Sequence, residues 1–303
     1  MSEPEVAPPE LDVSATRYRS VDVDGLSIFY RDAGPVDAPA LLLLHGFPSS
    51  SRMYEPLLAR LSSRNRLVAP DYPGFGYSAA PAPASFAYTF DHLAQVVQRF
   101  TDIIGLTNYA LYMQDYGGPV GMRLAMARPE RVRALVVQNA VSHEEGLGPL
   151  WAARRRFWAD RAAHEQELRD TFFSLATTRQ RHVGTHPYPE TLDPDRWNDE
   201  FAFLSRPGQH DIQSELFYDY RNNVARYPSW GAWLREHRPP SLVVWGRYDP
   251  SFLVAEVEAF KRDVPDAETV VLDAGHFALN DKPGEIAHLV SSFLDRTLDT
   301  RSP

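Results

Sequence analysis

Short apolar runs alternate with amphipathic stretches along the first half of the chain. Tyr18–Val23 and Leu26–Tyr30 flank Asp24-Gly25, a strong hairpin turn signal. Ala40–Leu44 is apolar throughout, too short for a helix, and ends at His45-Gly46. Arg66–Ala69 reads as the next strand. Phe90–Ile104 then places Leu93, Val96, Val97 and Phe100 on one helical face. Tyr109–Met113 is a strand, Pro119–Ala127 a helix and Ala134–Gln138 a further strand.

After Asn139 the rhythm breaks. From Ser142 to about Trp230 the chain is rich in Arg, Trp and His, helical in pattern and without a good strand. Alternation returns with a strand at Ser241–Trp245, a helix at Val254–Arg262, a strand at Thr269–Leu272 and a helix at Glu285–Phe293. The pattern predicts an α/β class, a mostly parallel, doubly wound sheet interrupted by a helical insertion. The expected division is a loose tail over 1–16, a core over 17–141 and 231–303, and a helical cap over 142–230. In such sheets ligands bind beyond the carboxyl ends of the strands, so chemistry is sought there.

Composition narrows the classes. The 303 residues are 44% hydrophobic, enough for a large core, and contain no cysteine, which removes disulfides and thiolate chemistry. A net charge of −9 argues against nucleic acid and against a polybasic membrane patch. Met1–Thr16 has neither the basic start nor the apolar run of a signal peptide, and no stretch approaches the ~20 apolar residues of a membrane span. A soluble, cytoplasmic monomer or homodimer is expected.

Three strand ends carry candidate chemistry. Tyr109–Met113 leads into Gln114-Asp115-Tyr116-Gly117-Gly118 and a helix: a sharp turn with a nucleophile candidate at its tip and small residues where strand meets helix. Met113 departs from the small residue usual two positions before such a nucleophile. Ser241–Trp245 runs on to Asp249, and Thr269–Leu272 to Gly275-His276-Phe277. Asp115, Asp249 and His276 therefore stand in the order nucleophile, acid, base. His45-Gly46-Phe47-Pro48 follows the third strand, so the backbone N–H groups of Phe47 and Tyr116 are expected to form an oxyanion hole. Each feature alone has a plain alternative, a helix cap or a surface histidine. Together they point to catalysis.

These residues, with Asp71-Tyr72-Pro73-Gly74-Phe75-Gly76-Tyr77-Ser78, resemble the α/β-hydrolase superfamily over nearly the whole chain. More narrowly they resemble its aspartate-nucleophile branch of epoxide hydrolases and haloalkane dehalogenases. The resemblance implies a two-step mechanism: Asp115 attacks an electrophilic carbon to form an ester, then His276, oriented by Asp249, activates the water that hydrolyses it. A carboxylate needs no base to be nucleophilic at neutral pH, so the histidine serves the second step. Asn139 stands where some dehalogenases put the acid, but it is neutral.

Cap residues bear on the electrophile. Leu216–Asn222 resembles the segment in which epoxide hydrolases carry a ring-opening tyrosine, and Tyr220 matches it; Tyr218 and Tyr227 read as packing aromatics. The second cap tyrosine of that group is missing from Pro149–Pro187. Dehalogenases need N–H donors for halide, yet Tyr116 and Phe47 stand where their tryptophan and asparagine would be. The arginines that fluoroacetate dehalogenases carry after the nucleophile are replaced by Tyr116 and Pro119. Trp158 could offer an indole N–H. With Phe157 and His45 it is a candidate substrate contact. An epoxide is the expected electrophile, with a haloalkane or haloacid as the alternative and a non-catalytic ligand receptor less expected. No cofactor or metal is implied. Trp151, Phe157, Trp158, Phe172, Phe173, Phe201 and Phe203 suggest an apolar cap interior and a small uncharged substrate.

Overall fold

A computed structural model describes residues 15–298. The expected tail over 1–16 therefore lies almost wholly outside the described residues. The chain opens with the hairpin of β1 (Arg17–Val23) and β2 (Leu26–Ala33), then β3 (Ala40–Leu44), α1 (Glu55–Leu61) and β4 (Arg66–Pro70). Asp24 and Gly25 both have positive φ, 53° and 87°, as the two central residues of a tight hairpin turn require. Next come α2 (Phe90–Ile103), β5 (Tyr109–Gln114), α3 (Gly117–Ala127) and β6 (Val132–Gln138).

Five helices then precede the next strand: α4 (Trp151–Ala159), α5 (Arg161–Phe172), α6 (Leu175–Val183), α7 (Asp195–Leu204) and α8 (Gln209–His237). The chain closes with β7 (Ser241–Gly246), α9 (Ala255–Asp263), β8 (Glu268–Leu272), α10 (Ala278–Asp281) and α11 (Pro283–Leu298). The anticipated border at 230/231 falls inside α8, which runs through it without a break.

The eight strands form one sheet in the order β1-β2-β4-β3-β5-β6-β7-β8. Strand β2 is antiparallel to both β1 and β4, and the other pairings are parallel. Strands β3, β4, β5 and β7 are buried at every residue, which explains their unbroken apolar runs. Their side chains still alternate between two cores. Ala40, Leu42 and Leu44 face the layer that holds α2, α3 and the cap, while Leu41 and Leu43 face α1 and α11. The strand order reverses at β3, which pairs with β4 on one side and β5 on the other. A crevice opens at such a switch point, beyond the carboxyl ends of the strands. Among the described residues no helix is long and apolar enough to cross a membrane.

Candidate active site

Asp115 follows β5 at the tip of the turn, with φ of 49°, a conformation that costs a non-glycine residue about 1–3 kcal/mol. The turn is made possible by what surrounds it. A Cβ on Gly117 would lie 2.0 Å from the carbonyl oxygen of Leu44, and one on Gly118 3.0 Å from Ala140 Cβ. Met113 finds its room one turn further on, because a Cβ on Gly121 would stand 2.3 Å from the Met113 sulfur. The large residue before the nucleophile is thus accommodated by a glycine after it.

The loop after β3 closes over the same point. The Phe47 backbone N–H donates to Asp115 Oδ1 at 2.8 Å, and the Tyr116 N–H also donates to the Asp115 carboxylate. Gly46 allows the approach, since a Cβ there would be 2.2 Å from Asp115 Cβ. Burial raises the Asp115 pKa above its ordinary value, against the pull of His276, the two N–H donors and Arg154.

His276 and Asp249 complete the group. His276 Nδ1 lies 2.6 Å from Asp249 Oδ2, and its Nε2 lies 3.6 Å from Asp115 Oδ2. Asp249 is itself fixed: its Oδ1 accepts the backbone N–H groups of Ser251 and Phe252 at 2.7 and 3.0 Å. Burial alone would lower the His276 pKa, but Asp249 and then Asp115 outweigh it and raise it above the ordinary value. The sequence did not single out Gln114, whose side-chain N–H donates to His276 Nε2 at 2.8 Å. That contact and the Asp249 bond select the neutral tautomer with the proton on Nδ1 and a lone pair on Nε2. Asn139, set aside as a candidate acid, also has positive φ (43°), and its amide bridges Gly246 and Asp249.

A narrow cavity lies in front of Asp115, lined from the core by Phe47, Tyr116, Ser251 and His276 and from the cap by Trp151, Phe217 and Tyr220. Tyr220 is buried, with its hydroxyl 3.4 Å from that of Tyr227, and burial holds its phenol well above the ordinary pKa, hence protonated.

Three anticipated substrate contacts lie elsewhere. The Trp158 indole N–H donates to the Phe217 carbonyl at 2.7 Å, which consumes it, while its ring stacks behind Tyr220. Phe157 is fully buried against Tyr218. His45 is enclosed beneath the loop, stacked on Tyr72, with its Nε2 accepting the Tyr72 N–H at 3.4 Å. None of the three lines the cavity.

The expected apolar cap interior also needs correction. Arg154 of α4 and Arg181 of α6 line the cavity and are only 7% and 5% exposed. Arg154 lies across the Trp151 ring at 4.1 Å and Arg181 across Phe47 at 4.5 Å. Burial, followed by the like charge of Arg154, lowers Arg181 to about 10, still protonated at neutral pH. A signal for Arg154 was present in the sequence. Trp151, Arg154 and Trp158 share one helical face by their spacing of three and four.

Residues 39–283 match the family model of the alpha/beta hydrolase fold. This chain belongs to the α/β-hydrolase family. An uncharacterized hydrolase of Saccharomyces cerevisiae is 36% identical over 286 residues, covering 92% of this chain and 98% of the relative. Haloalkane dehalogenase 2 of Mycobacterium tuberculosis is 43% identical over 281 residues, covering 86% and 88%. Among solved structures, a mutant of the haloalkane dehalogenase DatA from Agrobacterium tumefaciens superposes with a TM-score of 0.76 at 24% identity, covering 93% of this chain and 97% of that one. The protein is thus a hydrolase of this fold with dehalogenase-like relatives.

Proposed function

We propose that the protein hydrolyses a small electrophile through an ester on Asp115, and that the electrophile is an epoxide. The observation that carries the ester mechanism is the division of labour at Asp115. Oδ1 is occupied by the Phe47 N–H, while Oδ2 faces the cavity side of His276 Nε2. In the first step Oδ2 attacks carbon, the C–O bond of the ring breaks, and Tyr220 gives its proton to the departing alkoxide. In the second step water displaces the Gln114 N–H from His276 Nε2, which then takes the water's proton as its oxygen attacks Cγ of the ester. The tetrahedral oxyanion then forms on the oxygen held by Phe47 and Tyr116, where each preorganised donor contributes ~3 kcal/mol. Collapse releases the diol and restores the carboxylate, and the proton held by His276 replaces the one given by Tyr220.

The epoxide reading rests on Tyr220, a protonated phenol on the wall facing Asp115. The two indole N–H groups nearby are engaged with backbone carbonyls, Trp158 with Phe217 and Trp151 with Ser251 at 3.0 Å. A halogenated substrate is the second reading, favoured by the 43% identity to the mycobacterial haloalkane dehalogenase. Its halide would leave without a proton. Product analysis on paired substrates separates the two. Diol from epoxides is expected; halide release with no diol would overturn the order. Replacing His276 with Gln should trap the ester as a mass increase on Asp115, and an unmodified Asp115 under a good substrate would rule the mechanism out.

A further inference from the structure

Arg154 and Arg181 are unexplained by the mechanism above. Their Nη1 and Nη2 groups, respectively, are buried without a hydrogen-bond partner among the described residues. Neither has a carboxylate within ion-pair distance there. Glu200, a cap carboxylate whose charge reaches Arg181, is taken by His182 at 2.8 Å. An unpaired buried guanidinium is costly, and two facing one cavity repel each other as well. Aromatic faces and one weak bond, from Arg181 Nη1 to the Phe172 carbonyl at 3.3 Å, position them but do not neutralise them.

We infer that Arg154 and Arg181 bind an anionic group of the substrate, a carboxylate next to the electrophilic carbon. The inference rests on the ester mechanism for which carbon is attacked, but not for the binding of the anion. Geometry favours a single carboxylate. The two guanidinium groups share the cavity with Asp115, while Asp249 is turned to His276 at 2.6 Å. Esterification neutralises Asp115, the one carboxylate that lines the cavity beside them. A substrate carboxylate supplies a new counter-charge there, and its two oxygens suit the planar donor fork of arginine. The substrate class is then a short epoxy acid, or a 2-halo acid if halide is the leaving group, in place of the uncharged substrate that an apolar cap would select.

The test uses unreactive and reactive pairs that differ only in charge. Propanoate and propanamide are each titrated against the whole protein by saturation-transfer NMR, and chloride by the broadening of its own chlorine NMR line. Propanoate is expected to bind, propanamide not, and Arg154→Met or Arg181→Met to weaken propanoate by about tenfold or more. Propanamide binding as well as propanoate, or chloride binding where propanoate does not, would overturn the inference; the latter would make the pair a leaving-group site. Glycidate and glycidamide are then compared as substrates, with kcat/KM for the acid expected to be higher by about tenfold or more. The gain should appear mainly in KM, and Arg181→Lys should keep part of it. In His276→Gln, equal ester yields from acid and amide would defeat the anion assignment while leaving Asp115 as nucleophile. Arginine-dependent propanoate binding without any ester would uphold the anion site and defeat the ester mechanism.

Discussion

The side chain of Asn139 donates from Nδ2 to Asp249 Oδ2 at 2.9 Å, the same oxygen that meets His276 Nδ1 at 2.6 Å. The residue that follows β6 thus steadies the carboxylate that follows β7. Replacing Asn139 with Ala removes one hydrogen bond to a charged group. The hydrolysis of the ester is expected to slow by about ten- to a hundredfold, while ester formation changes little. Single-turnover measurements of both steps check this; an equal loss in both would mean that Asn139 acts through the fold.

The charge of Asp115 enters the titration of His276. In the free enzyme Asp249 and Asp115 both raise the His276 pKa above 6.5. The ester carries no charge at Asp115, so the histidine should titrate lower in the intermediate. The rate of ester hydrolysis should fall on acidification with a lower apparent pKa than His276 shows by NMR in the free protein. An identical pKa in both states would break this link.

Glycines at the turn make a graded series. Gly46→Ala drives its Cβ to 2.2 Å from Asp115 Cβ and is expected to remove most activity. Gly117→Ala meets backbone at 2.0 Å and should cost several kcal/mol of stability. Gly284, on α11, has nothing within 4 Å of a Cβ, and Gly284→Ala should raise stability by ~0.5 kcal/mol. Chemical denaturation with activity assays ranks the three.

Tyr220→Phe separates the electrophiles within one protein. Epoxide opening should fall by about a hundredfold or more as the proton donor is lost, whereas halide release should change by less than about threefold. A similar loss on both substrates would show that Tyr220 shapes the cavity and gives no proton.

His143 ties the loop that enters the cap to α9, with Nδ1 2.9 Å from Glu256 and Nε2 3.0 Å from Asp263. Burial opposes its charge, but the two carboxylates raise its pKa above 6.5 and His143 helps hold Asp263 below 3.8. A raised histidine pKa gives stability that is complete below 6.5 and lost as pH rises through the folded value. The lowered Asp263 gives stability present above 3.8 and lost as pH falls through its folded value. His143→Gln should therefore cost on the order of 3 kcal/mol near pH 5.5 and clearly less near pH 9. Denaturation curves at the two pH values check the difference.

The sheet was legible because its central strands are buried on both faces and read as uninterrupted apolar runs. Asp115 and Asp249 were legible because each follows such a run within a few residues, and His276 because it follows the shorter, half-buried edge strand β8. The cap was not, because its helices bury polar and apolar residues alike. Trp158 and Phe157 looked like lining, yet neighbouring helices cover them. Arg154 sits among Arg154-Arg155-Arg156, and only its helical spacing from Trp151 and Trp158 marks it as the one of the three that turns inward. Arg181 came from a helix without an apolar face. Gln114 and Asn139 act through hydrogen bonds to partners more than a hundred residues away, which no local pattern records.

The unbroken α8 has a mechanical consequence. Its first half supplies Phe217 and Tyr220 to the cavity, and both halves are bolted to the core. Asp219 accepts the Phe90 N–H at 2.8 Å, Arg226 meets Asp91 at 3.0 Å and Arg235 meets Asp263 at 2.7 Å. The phenol is therefore placed one residue from an anchor on α2, in the same frame as Asp115 and on the N-terminal side of Pro228. The guanidinium groups hang from α4 and α6, two shorter helices pinned to the core at other points, α4 by the Trp151 N–H on the Ser251 carbonyl and the end of α6 by the Thr185 N–H on the Tyr248 carbonyl. The two walls of the cavity are thus hung from different parts of the sheet, so a change in one leaves the anchor of the other in place.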